Sequence, residues 1–107
     1  MATNRDFLDY VLEQLSLLKD VTYRPMMGEY IIYCKDKIIG GIYDNRFLIK
    51  PCKAALEMMP EARMEYPYEG GKKMLLVEDL DDKRFLCDLI NGMYDELPVT
   101  NKKKNKN

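Results

Sequence analysis

Cys34, Cys52 and Cys87 are the only thiols in the chain, at separations of 18 and 35 residues with no Cys-x-x-Cys pair. An odd number of cysteines at such spacing supports neither a disulfide framework nor a three-thiolate metal centre, and they read as free, buried thiols acting as small hydrophobes. Histidine is absent from all 107 residues. That removes Ser-His-Asp and Cys-His nucleophiles, histidine zinc sites and histidine proton relays. Ser16, the only serine, falls within an apolar-periodic helix. Asp79, Asp81 and Asp82 could suggest paired-carboxylate chemistry, but they cluster where a helix should begin, and there acids cap the chain and complement the dipole. There is no tryptophan platform for a sugar, no Gly-x-Gly-x-x-Gly run and no phosphate loop. The chain is therefore expected to carry no catalytic set, no metal and no cofactor.

The charges divide unevenly. Of 17 basic and 18 acidic side chains, four lysines (Lys102, Lys103, Lys104 and Lys106) fall in residues 99–107, which hold no acid. Residues 1–98 keep 13 basic against 18 acidic groups, near −5. An acidic body repels phosphate, so the lysine cluster reads first as a solubilising, disordered tail and second as a nucleic-acid arm. MATNRDF does not resemble a signal peptide, and no apolar run approaches the ~18 residues of a membrane span. A cytoplasmic protein is expected.

The elements that must position these residues follow from periodicity. Phe7, Leu8, Val11, Leu12, Leu15 and Leu18 form one stripe of a helix that Thr3 or Asn4 can cap. The period changes at Val21, and Tyr30–Cys34, Ile38–Tyr43 and Phe47–Ile49 are β-rich runs separated by Lys35-Asp36-Lys37 and Asp44-Asn45, an antiparallel meander. Pro51 suits the start of a helix through Ala54, Ala55, Leu56 and Met59, stopped by Pro60. Two strands, Met64–Tyr68 and Met74–Val77, should be joined by a tight turn at Glu69-Gly70-Gly71-Lys72. A last helix, capped by Asp79 or Asp81, carries Phe85, Leu86, Leu89, Ile90, Met93 and Leu97, and Pro98 closes the domain. The order α-β-β-β-α-β-β-α predicts one α+β domain over residues 1–98, a two-layer sandwich on an antiparallel sheet.

Ahead of the first of these strands, the run Arg24-Pro25-Met26-Met27-Gly28-Glu29-Tyr30-Ile31-Ile32-Tyr33 resembles the R-x-M-F-G-x-Y-x-x-Y signature of the TfoX/Sxy N-terminal domain, a bacterial competence-regulator family. Asp44-Asn45-Arg46-Phe47-Leu48-Ile49-Lys50 resembles that family's D-x-R-L-Y-L-K segment, and the similarity covers about residues 4–96. Met27 stands where the family usually has phenylalanine, and Gly40-Gly41 replaces a larger apolar residue and alanine. The resemblance implies helix, three strands, helix, two strands, helix. It implies a non-enzymatic regulator of competence or a related process, working through protein contacts with a partner such as a transcription activator. No catalytic residues carry over, and the alternative is a direct nucleic-acid binder using the lysine tail and Arg24.

Residues of the two matching segments have structural readings beside functional ones. Gly28 should adopt a bulge or a positive φ that turns the chain into Tyr30. Arg24 should pair with Glu29 or Asp20, or else present its guanidinium to a carboxylate or phosphate. Met26 and Met27, with Met58 and Met59, offer either core filling or an adaptable surface. Strict alternation places Tyr30, Ile32 and Cys34 on one sheet face and Ile31 and Tyr33 on the other, then Ile38, Gly40 and Ile42 against Ile39, Gly41 and Tyr43. If all helices cover one face, the other is left apolar, with Tyr33 and Tyr43 as candidates for a homodimer or partner surface. The candidate interaction set is thus Arg24, Met26, Met27, Gly28, Tyr30, Tyr33, Tyr43 and Lys50.

Overall fold

The computed structural model describes residues 3–99. In chain order the elements are α1 (Arg5–Gln14), β1 (Val21–Met26), β2 (Glu29–Cys34), β3 (Lys37–Tyr43), β4 (Arg46–Ile49), α2 (Lys53–Met58), β5 (Met64–Glu65), β6 (Met74–Leu76) and α3 (Lys83–Tyr94). The strands form one antiparallel sheet in the order β1-β2-β3-β4-β6-β5. The α+β class holds, and the meander has four strands rather than three.

The added strand is β1, which Pro25 disguised. Proline cannot donate to a ladder and so reads as a breaker, but an edge strand tolerates it where the missing N–H faces away from the partner. Met27 (φ 52°) and Gly28 (φ 87°) form the β1–β2 turn, and Asp44 (φ 53°) and Asn45 (φ 59°) the β3–β4 turn. Two consecutive positive φ values match the twist of the flanking strands. Gly28 takes the positive φ its sequence context suggested, in a turn and not a bulge.

All three helices pack on one sheet face. Leu8, Val11 and Leu15 of the α1 segment, Ala55 of α2, and Leu86, Leu89, Ile90 and Met93 of α3 join Ile32, Cys34, Ile42, Phe47, Ile49 and Leu75 in one buried cluster. A register shift between Ile32 and Tyr33 breaks the strict alternation. Ile39 therefore enters the core, while Ile38 shares the opposite face with Tyr33, Gly41 and Tyr43. At Gly40 an added Cβ would lie 2.1 Å from the Leu48 carbonyl oxygen, so a side chain there would collide with β4 backbone.

Asn4 caps α1 by accepting from Asp6 N, and Asp82, not Asp79 or Asp81, caps α3 by accepting from Phe85 N at 3.0 Å. The cap of α2 comes from far along the chain: Glu96 accepts from Lys53 N at 2.9 Å and Ala54 N at 2.8 Å. Lys37 Nζ donates to the Tyr94 carbonyl and lies 4.1 Å from that ring's centroid, tying β3 to the end of α3. Val99, placed in the tail by sequence, makes an antiparallel bridge to Lys37. The expected disorder of 100–107, with its lysine cluster, lies outside the described residues.

Candidate functional site

The helix-free face is not bare. The second strand pair is much shorter than its sequence suggests, and Tyr66–Lys73 folds over the sheet instead of closing a tight hairpin. Pro67 gives the ladder no donor, and Arg46 fixes the departure. Its Nη1 donates to Glu65 Oε1 at 2.9 Å and to the Tyr66 carbonyl at 3.1 Å, and its Nε donates to the Tyr43 carbonyl at 3.1 Å. Pro67 is buried, and the Tyr68 ring meets the Tyr43 ring edge-on, centroids 5.8 Å apart. Tyr43 in turn lies across Gly41, where an added Cβ would come within 2.6 Å of the tyrosine ring.

This overlay leaves a groove of about 650 Å³. Ile31, Ile38 and Tyr43 line it from the sheet, Met26 and Met74 from the flanking strands, and Tyr68 and Gly71 from the overlying segment. Lys50, Lys72 and Lys73 also line it. Among the described residues none of these lysines makes an ion pair. The volume falls within the roughly 300–1,000 Å³ of small-molecule sites, and an apolar lining with a few polar groups is their usual character. Tyr43 is 7% exposed, and its phenol pKa is pushed up by burial first and then by Tyr68 and Glu29.

The structure brings some of the sequence candidates together and scatters others. Met26, Tyr43 and Lys50 line the groove, and Tyr33 lies beyond it on the same face, half-buried. Tyr30 points to the helix side, edge-on to Tyr23 at 5.6 Å. Met27 is 96% exposed at the turn tip. Arg24 is exposed on β1 opposite Ile31 and pairs with neither Glu29 nor Asp20. Glu29 is occupied otherwise, accepting from Thr3 Oγ1 at 2.6 Å and Asp44 N at 3.0 Å. Methionine is not chiefly core filler, since Met93 is buried while Met27, Met58 and Met64 are exposed. Sequence reasoning missed Arg46, Tyr68, Lys72 and Lys73; Pro67 beside two tyrosines and two glycines was the signal that this segment does not continue a strand.

The three cysteines are free, but only Cys34 is buried, and burial raises its thiol pKa. Among the described residues no three cysteine, aspartate or glutamate side chains gather as a metal cluster, and no helix is long and apolar enough to cross a membrane.

One sheet face packed by three helices and one carrying a lysine-rimmed groove define a small α+β domain with a built, accessible cavity. Residues 13–94 match the TfoX N-terminal domain, and the chain belongs to that family. It is also similar to an uncharacterized 12.7 kDa protein in the trpE 5′ region of Spirochaeta aurantia, 32% identical over 108 residues, covering 99% of this chain and 93% of the relative. No solved structure matches the chain.

Proposed function

We propose that this chain is a non-enzymatic, cytoplasmic regulator that acts through protein contacts in the transcriptional control of competence or a related process, with a transcription activator as the partner class. Membership of a regulatory family supports the role. The observation that carries the contact reading is a strip on the helix-free face: Ile31, Tyr33 and Ile38 are half-buried by their own chain, with exposed Arg24 beside them. An apolar strip flanked by charge, on a sheet face that no helix covers, fits a partner surface. Tyr43 does not belong to that surface, because Tyr68 covers it.

The test is transcription of DNA-uptake genes in the native host, with the chromosomal copy replaced by Tyr33→Asp or Ile31→Glu. Loss of the response with an unchanged melting transition is expected; a full response from both folded variants overturns the contact reading. Gel shifts across a salt series separate direct DNA binding, since tight, sequence-dependent binding that survives removal of residues 100–107 would favour the nucleic-acid alternative.

A further inference from the structure

We propose that the groove beneath Tyr66–Lys73 is a binding site for a small amphiphilic anion, an apolar body with one carboxylate or phosphate head. This goes beyond the regulatory reading and does not depend on it.

Charge is the first argument. Residues 1–98 are acidic overall, yet Lys50, Lys72 and Lys73 converge on this one groove without a carboxylate partner among the described residues. Lys50 and Lys72 make no described side-chain contact that occupies their ammonium groups, and Lys73 Nζ reaches only the face of Tyr66, 5.5 Å from its centroid. Cations gathered without counter-ions on an acidic body favour an anionic occupant.

The second argument is independent of charge. Tyr43 is more than nine-tenths buried and lines the groove, and no described residue accepts from or donates to its hydroxyl. No side-chain polar atom of the described residues is both buried and unpartnered, so the Tyr43 hydroxyl keeps access to solvent and is free to donate to a bound carboxylate or phosphate. Apolar surface from Ile31, Ile38 and Met74 shares the groove with the three lysines, so both an apolar body and an anionic head find matching groups in its lining. Thioether and isoleucine side chains suit an aliphatic or aromatic body, and Gly70 at φ 88° gives the overlying segment a turn that places Lys72 and Lys73 at the rim.

The experiment titrates the ¹⁵N-labelled full chain with decanoate, decyl phosphate and decanol below their aggregation limits. Saturable shifts of the Gly40, Gly71 and Lys72 amides by either anion are expected, with the better of the two naming the head group. Lys72→Glu with Lys73→Glu, both at exposed positions, should weaken anion binding about tenfold or more while leaving decanol binding unchanged. Tyr43→Phe keeps the ring on Gly41 and should weaken the anions several-fold without affecting decanol. The proposal is overturned if neither anion shifts the groove amides, if the charge-reversed variant binds the anions as tightly as the parent, or if groove signals move only on dilution, which would make a second copy of the chain the occupant.

Discussion

Arg46 Nη1 lies 2.9 Å from Glu65 Oε1, and each side chain is 28% exposed. The same guanidinium holds main-chain carbonyls of Tyr43 and Tyr66, so one β4 side chain joins a sheet turn to the segment that overlies the sheet. Partly buried, multiply bonded ion pairs matter more than exposed ones such as Arg63–Glu78. Arg46→Met should cost about 2 kcal/mol in urea unfolding and speed hydrogen exchange at Gly71, whereas Arg63→Met should change the midpoint little. Equal effects of the two would refute this division.

Two glycines should respond oppositely to a methyl group. At Gly41 the added carbon meets the Tyr43 ring at 2.6 Å and the Tyr30 carbonyl at 2.8 Å, while at Gly92 of α3 the nearest atoms are 3.7 Å away. Gly41→Ala should lose about 3 kcal/mol or fail to fold. Gly92→Ala should gain about 0.5–1 kcal/mol from helix propensity, read as a higher melting temperature.

The α2 cap is a single distant carboxylate. Glu96→Ala leaves the Lys53 and Ala54 amides without their acceptor, and the expected loss is about 1 kcal/mol. Glu96→Gln should retain part of it, and thermal melts of the pair provide the measurement.

Alkali should destabilise the fold. Burial raises the Cys34 thiol and the Tyr43 phenol above their ordinary values of about 8.5 and 10. A raised folded-state pKa means that the native chain keeps protons the unfolded chain has lost, so stability is full below the unfolded values and falls as pH rises past them. Urea midpoints should hold to about pH 8 and then decline, and Tyr43→Phe should flatten the limb above pH 10. Parallel decline of parent and variant would show that Tyr43 does not contribute.

Much of the fold was legible because local signals agreed with packing. Asp44-Asn45 named its turn, the Leu8 and Leu86 stripes named the buried faces of α1 and α3, and the resemblance through Arg24–Tyr33 named the family. The groove was not legible. It depends on Arg46 reaching across about twenty residues of chain to Glu65 and Tyr66, and on a register shift that moves Ile38 to the open face. Neither leaves a periodic trace: Arg46 reads as one more strand-end charge, and a bulge inverts alternation without changing composition. Tyr43 was named correctly as an open-face residue but not as a covered one, because its cover comes from Tyr68.

Arg24 and Pro25 have one more consequence at the margin of the sheet. The two-residue turn makes Met26 and Glu29 a hydrogen-bonded pair, so Met26, Arg24 and Thr22 direct their backbone groups at β2 while Pro25, Tyr23 and Val21 direct theirs outward. The outward row thus lacks a donor at Pro25, beside a protruding cation at Arg24. A strand arriving from another molecule would find too few amides to continue the ladder, and a lengthening stack of such sheets would bring guanidinium groups together. The segment by which the family is recognised also terminates the sheet against runaway polymerisation.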